Sequence, residues 1–450
     1  VQFRFIKYVQ PGWYFNVKPK ANIFSTVYYH PNYLPVEDTN GIEEDAKYQT
    51  TTARYADMGF RLWNNGFLLS CTQQQATAIE QMPPPCLTDE YRFVCKYWGK
   101  HWAMMALVVR LISLKNPFKE ITAFIKNVAV KREPLHTNIK EYPAYQNFAS
   151  ALVATQPKVS VIIPTLNRYE YLKDVMQDLE KQTWKNFDVI VIDQSENFNE
   201  AFYKQFAVDI KVVQQKEKLL WTARNHAVKI SNANYLLFFD DDSRVEPDWI
   251  EQHMKTIDFF EADISAGVSL AVIGAKVPKS YSFFRWADQF DSGNALVKRE
   301  VFEKIGLFDL QFNKERMGDG EFGIRAYING LKSVSNPYAK RVHLKVPSGG
   351  LREIGHWDGF RPKKLFAPKP IPSVIYLYKK YFPKELYRNS VYLGIVLSNL
   401  SFKSKSSKKL ILLSVLLTIV KLPLLAIQFH KSLKLANAKI KAGNKIEYLT

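Results

Sequence analysis

Residues 235–242 read Tyr-Leu-Leu-Phe-Phe-Asp-Asp-Asp: five aromatic or aliphatic residues that stop abruptly at three acids. Five residues are too few for a stable helix, and the aromatic content favours a buried strand over Tyr235–Phe239. The acids then fall just past the carboxyl end of that strand, where open α/β sheets bind their ligands. Adjacent carboxylates repel one another, so Asp240, Asp241 and Asp242 need a compensating cation unless they are solvated. A hard divalent ion such as Mg²⁺ or Mn²⁺ takes oxygen ligands and bridges to phosphate oxygens. The alternative is a solvated acidic loop after an edge strand.

Outward from this stretch the texture stays regular. Val159–Ile163 is a continuous run of mostly β-branched residues ending at Pro164, the mark of a buried parallel strand. Leu172, Val175, Met176 and Leu179 follow at helical spacing. Further strands are predicted at Phe187–Ile192 and Ile210–Val213, and a helix at Thr222–Ile230. Strands alternating with helices at this pitch imply an α/β domain with a largely parallel sheet.

Six stretches occur together in order: VSVIIPTLNR (159–168), VIVIDQS (189–195), TARNHAV (222–228), LLFFDDDSRVEPDW (236–249), SGNALVKREVFEKIGLFD (292–309) and GDGEFGIRAYING (318–330). In this set the chain resembles the inverting family 2 glycosyltransferases over about residues 158–345. The resemblance implies a GT-A-type (Rossmann-like) domain that binds a nucleotide-sugar donor with a divalent metal, Mn or Mg. It makes Asp242 the metal ligand, with Asp240 and Asp241 toward the ribose and Pro164 and Asn167 among the donor-binding residues. Asp193 matches the acid that accepts a hydrogen bond from the base, although Gln194 stands where a second acid is usual. Arg224 matches the helix arginine near the nucleotide, a surface salt bridge being the other reading.

Asp319 matches the second residue of the family's Glu-Asp pair, which implies the general base of an inverting transfer. Gly318 replaces the Glu. An Asp in the first turn is also favoured by the helix dipole alone. Glu321 is the second choice, for acceptor binding. His343 corresponds to the histidine that completes a metal or diphosphate site, and a structural role is equally open. Trp286 and Trp357 are stacking platforms for a sugar or else core residues.

The chain has 450 residues and a formal net charge of +19. Residues 361–450 carry 18 Lys or Arg against 2 acids, so this basic tail holds most of the excess. Such a tail favours an anionic membrane surface or nucleic acid. No recognition motif accompanies the charge, so no nucleic-acid partner is expected. Leu410–Phe429 is an apolar stretch interrupted by Lys421, Pro423 and Gln428, read as a helix lying in the membrane interface. Cys71, Cys86 and Cys95 have no metal-like spacing and read as free thiols. The expected organisation is an N-terminal domain of unknown role (1–150), a catalytic domain (158–345) and a basic helical tail (361–450).

The expected function is sugar transfer to a glycan or lipid-linked acceptor in cell-surface polysaccharide synthesis, on the inner face of the cytoplasmic membrane. A nucleotidyltransferase would also combine carboxylates with Mg²⁺. It would normally carry a Gly-rich phosphate loop after the first strand, and Pro164-Thr165-Leu166-Asn167 is not one.

Overall fold

The computed structural model describes residues 3–20, 29–35, 38–271, 273–346, 349–351, 358–400 and 407–449. Among these, nine strands form one sheet: β1 (Val159–Thr165), β2 (Phe187–Asp193), β3 (Ile210–Gln214), β4 (Tyr235–Phe239), β5 (Ser243–Val245), β6 (Ile264–Leu270), β7 (Arg285–Trp286), β8 (Asn294–Lys298) and β9 (Ser333–His343). Their order is β3-β2-β1-β4-β8-β6-β9-β5, with β7 beside β9.

The first half is parallel. β1 pairs with β2 and β4, and β2 with β3, in register from Val159↔Phe187 and Val159↔Tyr235. The helices Tyr169–Glu180 and Leu220–Ile230 supply crossovers after β1 and β3. Strand order reverses between β1 and β4, which creates a crevice at their carboxyl ends. Pairing of β1 with β4 ends at Ile162↔Phe238. Pro164, which has no N–H to give, therefore sits where the β4 ladder has already stopped.

The second half departs from the largely parallel expectation, and the sheet is mixed. β8 is antiparallel to β4 and to β6. The connection from β6 to β8 passes through the short strand β7 and, among its described residues, holds no α-helical crossover, which permits antiparallel neighbours. The pairing of β6 with β9 is parallel but shifts register between Gly267 and Val268, a bulge that resets the last residues of β9.

The regular elements described before β1 are helices, and many of their apolar side chains join the same core as the sheet, while those around Met58 and Ala76 form two smaller clusters. Trp13 meets Trp63 edge-on with ring centroids 5.0 Å apart, and Phe15 meets Tyr327 of the Gly318–Ile328 helix at 4.9 Å. Cys71, Cys86 and Cys95 are free. The apolar stretch of the tail is not one straight segment. It divides at Lys421 into the helices Lys408–Val420 and Leu422–Ala442, the latter held by Ser432 Oγ donating to the Pro370 carbonyl at 2.5 Å. Among the described residues no single helix is long and apolar enough to cross a membrane. Leu412–Val420 and Leu422–Ala442, bent by 81°, reach that length only as a pair. The chain end returns to the sheet domain, where Leu307 N–H donates to the Glu447 carbonyl at 2.7 Å.

Candidate active site

β4 delivers Asp240, Asp241 and Asp242 into the crevice, and each is held differently. Asp240 accepts from Arg224 at 3.0 Å and from Arg341 at 2.7 Å. Burial pushes its carboxyl up, but Arg341 and Arg224 more than reverse this and hold it well below the ordinary carboxylate range. Asp241 accepts from the Thr165 hydroxyl and from Arg168, both at 2.8 Å. Burial pushes the Asp241 carboxyl up to about 6, with Arg168 opposing and the neighbouring Asp242 charge adding.

Asp242 is different. It is 1% exposed, yet neither carboxylate oxygen receives a hydrogen bond. Arg168 and His343 Nε2 each stand 3.2 Å away as ion-pair contacts only. Burial pushes its carboxyl up, but His343 and Arg168 more than reverse this and hold it below the ordinary value, so it stays an anion that a further cation can bind. The register Ser243↔His343 explains the histidine: β9 lies antiparallel to β5 and brings His343 beside the last acid. Ligand atoms of Asp240, Asp242 and His343 all lie within 4.8 Å of one another. The two carboxylates suit either Mn²⁺ or Mg²⁺, and the imidazole nitrogen favours the softer Mn²⁺ of the two, so the residues fit the expected divalent metal.

These groups open onto a cavity of about 720 Å³ that Pro164, Arg224 and Asp319 also line. Asp319 lies in the first turn of the Gly318–Ile328 helix, where Ser292 donates to its Oδ1 from both the hydroxyl and the backbone N–H. Arg224 donates to that serine hydroxyl at 2.5 Å, so one guanidinium holds Asp240 directly and Asp319 through Ser292. Burial raises the Asp319 carboxyl above its ordinary value, Arg224 opposing and Asp291 adding. The Gly at 318 has a steric cause. A Cβ there would stand 2.3 Å from the Trp221 indole, so the family's Glu has no room. At Gly293 a Cβ would stand 2.2 Å from Asp240 and 2.3 Å from Arg341, and only glycine allows that approach.

Four sequence candidates stand apart from the cavity. Asp193 is fully buried and accepts from the hydroxyls of Tyr169 (2.6 Å) and Tyr203 (2.8 Å) and from Ser195 N–H (2.8 Å). Asn167 is exposed and accepts from Glu196 N–H at 3.1 Å, tying two loops together. Glu321 is two residues from Asp319 and so faces the other side of the helix. There it is buried against Arg325 at 2.9 Å and Lys380 at 3.1 Å. Trp286 is a core residue whose indole donates to the Leu69 carbonyl at 2.7 Å. Trp357 lies outside the described residues.

The structure also adds groups that the sequence reading passed over. Arg341, 2% exposed, bridges Asp240 and Asp291 (2.9 Å). The sequence signal was alternation, since positions 341 and 343 of one strand share a face. Arg168 and Ser292 lay inside quoted motifs without being singled out. Gly12 and Tyr14 from one end of the chain, and Leu377, Tyr378 and Phe382 from the other, complete the lining.

Residues 160–313 match the family described as "Glycosyl transferase family 2". The chain carries a family 2 glycosyltransferase domain. Asp319, Arg341 and His343 follow the matched residues of this domain. The chain is similar to "Glycosyltransferase GlyA" of Streptococcus pneumoniae serotype 4, 32% identical over 243 residues, which are 52% of this chain and 31% of that protein. It is similar to "Putative glycosyltransferase EpsH" of Bacillus subtilis, 25% identical over 213 residues, with 42% and 62% covered. The chain thus spans less than two thirds of the length of either relative. Among solved structures, GalNAc-T7 with UDP, GalNAc and Mn²⁺ aligns at TM-score 0.42 and 16% identity, covering 52% of this chain and 50% of that one. S. aureus TarS 1-349 with UDP-GlcNAc aligns at TM-score 0.42 and 16% identity, covering 63% and 83%.

Proposed function

We propose that this chain is a metal-dependent, inverting glycosyltransferase that moves a sugar from a nucleotide-sugar donor to a glycan or lipid-linked acceptor in cell-surface polysaccharide synthesis. The observation that carries the reading is the juxtaposition of Asp242, a buried carboxylate without a hydrogen-bond donor, with Asp240, His343 and Asp319 around one cavity. Asp242, Asp240 and His343 would hold the ion. When bound, a divalent cation neutralises charge on the donor's diphosphate.

The remaining roles belong to the chain. Asp319 removes the proton from the acceptor hydroxyl as its oxygen attacks the anomeric carbon. The bond from that carbon to the diphosphate breaks on the opposite face, which inverts the configuration. Ser292, held by Arg224, fixes the Asp319 carboxylate. Burial in the cavity raises the basicity of Asp319 and so its affinity for the proton. Residues 158–345 are the proposed catalytic unit, and the basic tail is the proposed attachment to the inner face of the cytoplasmic membrane.

The test is Asp319→Asn, assayed with labelled nucleotide sugars. Turnover should fall by ~10²–10⁴-fold while donor affinity persists, and the wild-type product should have the opposite anomeric configuration to the donor. Near-normal turnover by the variant, or a retained configuration, contradicts the reading.

A further inference from the structure

The helices Lys100–Ile112 and Pro117–Ile125 form a hairpin that is apolar on two faces. The inner face is accounted for, since Ala106, Leu107 and Phe124 are buried in the common core. The outer face is not. Val108, Ile112, Phe118, Ile121 and Ile125 are 47%, 76%, 82%, 41% and 61% exposed, and their spacing forms a stripe along each helix. Leu114, in the turn, is 93% exposed and has φ +54°, a backbone conformation that glycine or asparagine adopts at lower cost. Together these side chains make a contiguous apolar tip, a feature that marks an interaction surface.

The charges around the tip say what kind of surface it meets. Residues 99–132 contain Lys100, Arg110, Lys115, Lys119, Lys126, Lys131 and Arg132 against a single acid, Glu120. Glu120 is buried and already held by Arg110 at 2.6 Å and by the Tyr91 hydroxyl at 2.9 Å. The hairpin's own exposed charges are therefore all basic, and an acid close to them, Glu385, is already paired with Lys7 at 2.7 Å. A second copy of the chain would bring the same lysines face to face, because a two-fold contact presents identical patches to each other. Anionic phosphates would neutralise them instead.

We propose that this hairpin docks on an anionic phospholipid bilayer, with Ile112, Leu114 and Phe118 entering the acyl boundary and Lys115 and Lys119 meeting headgroup phosphates. The site is built from residues before β1 and is distinct in sequence from the basic tail, although Lys115 stands near Glu385 of the tail helix Lys384–Leu397. It gives residues before β1 a role, and it stands independently of the reaction assigned to the cavity. Two attachment points also suit the general requirement that firm membrane anchoring takes more than one signal.

The experiment uses the full chain. Leu114→Cys is introduced with Cys86→Ser, the other two cysteines being buried, and labelled with a polarity-sensitive fluorophore. Vesicles contain phosphatidylcholine alone or with about one third phosphatidylglycerol. Emission should shift to the blue with the anionic vesicles and stay unchanged with the neutral ones. Ile112→Ser with Phe118→Ser should lower partitioning of the unlabelled protein by about tenfold or more. Lys115→Glu with Lys119→Glu should lower it by about thirtyfold or more. These side chains are exposed, so melting temperatures should match the wild type. Unchanged partitioning in either double variant overturns the proposal. So does a blue shift that appears without vesicles and grows with protein concentration, which would make a second copy the occupant.

Discussion

Arg341→Met removes one charge from the middle of the carboxylate array while keeping much of the side chain's length. Two ion pairs are lost, and they are not equal. Asp240 is 24% exposed and meets Arg341 at 2.7 Å, whereas Asp291 is 37% exposed and meets it at 2.9 Å. Breaking a mostly buried pair costs ~3–5 kcal/mol because a charge is left uncompensated. The more exposed pair is screened by solvent and adds at most ~1 kcal/mol. Arg224 still holds Asp240, so the lower end, about 3 kcal/mol in all, is the expected loss.

The pH dependence of that loss follows from the direction of the Asp240 shift. In the wild type its folded pKa is depressed, so its contribution is present above the unfolded pKa and is lost as pH falls through the folded value. Without Arg341 only Arg224 and His343 still oppose burial, so the folded pKa moves up toward the unfolded value and the stabilisation present above it shrinks. The melting difference between wild type and variant should therefore be largest near neutral pH and shrink toward about pH 4, the ordinary carboxylate range. Thermal unfolding across that range is the assay, and added Mn²⁺ should restore part of the lost stability. A difference that stays constant with pH, or widens on acidification, would refute the electrostatic role of Arg341.

Gly318→Ala places a Cβ against the Trp221 indole and should destabilise by ~1–3 kcal/mol, as overpacking does, which differential scanning calorimetry measures. Glu321→Gln should lower stability by about 3 kcal/mol by leaving Arg325 without its buried carboxylate and Lys380 with Asp309 alone. Its donor affinity should persist, so an inactive but normally stable variant would return Glu321 to the candidate site.

The legible part of this protein is the part with a local cause. Tyr235–Phe239 is a strand with the bounds expected, because a short aromatic run ending in acids has little else to become. The Gly318–Ile328 helix was equally plain, but its two acids needed geometry to separate them. A two-residue offset sends Asp319 to the cavity and Glu321 to the core. Asp193 and Trp286 turn on tertiary contacts: Tyr169 and Tyr203 from the neighbouring helices close on the one, and distant Leu69 on the other. The mixed half of the sheet depends on which strands lie side by side, and short strands such as β5 and β7 carry no signal of their own. At the hairpin of residues 100–125 only the fold shows which apolar face is left uncovered.

The most direct test of the cation site is Mn²⁺ binding by the full chain, followed by the electron paramagnetic resonance signal of the free ion. Wild type should bind saturably, Asp319→Asn should bind as wild type does, and Asp242→Ala should lose the site while its melting temperature shows that it remains folded. Mn²⁺ binding by Asp242→Ala equal to that of wild type would contradict the assignment of the acidic turn after β4 as the metal centre.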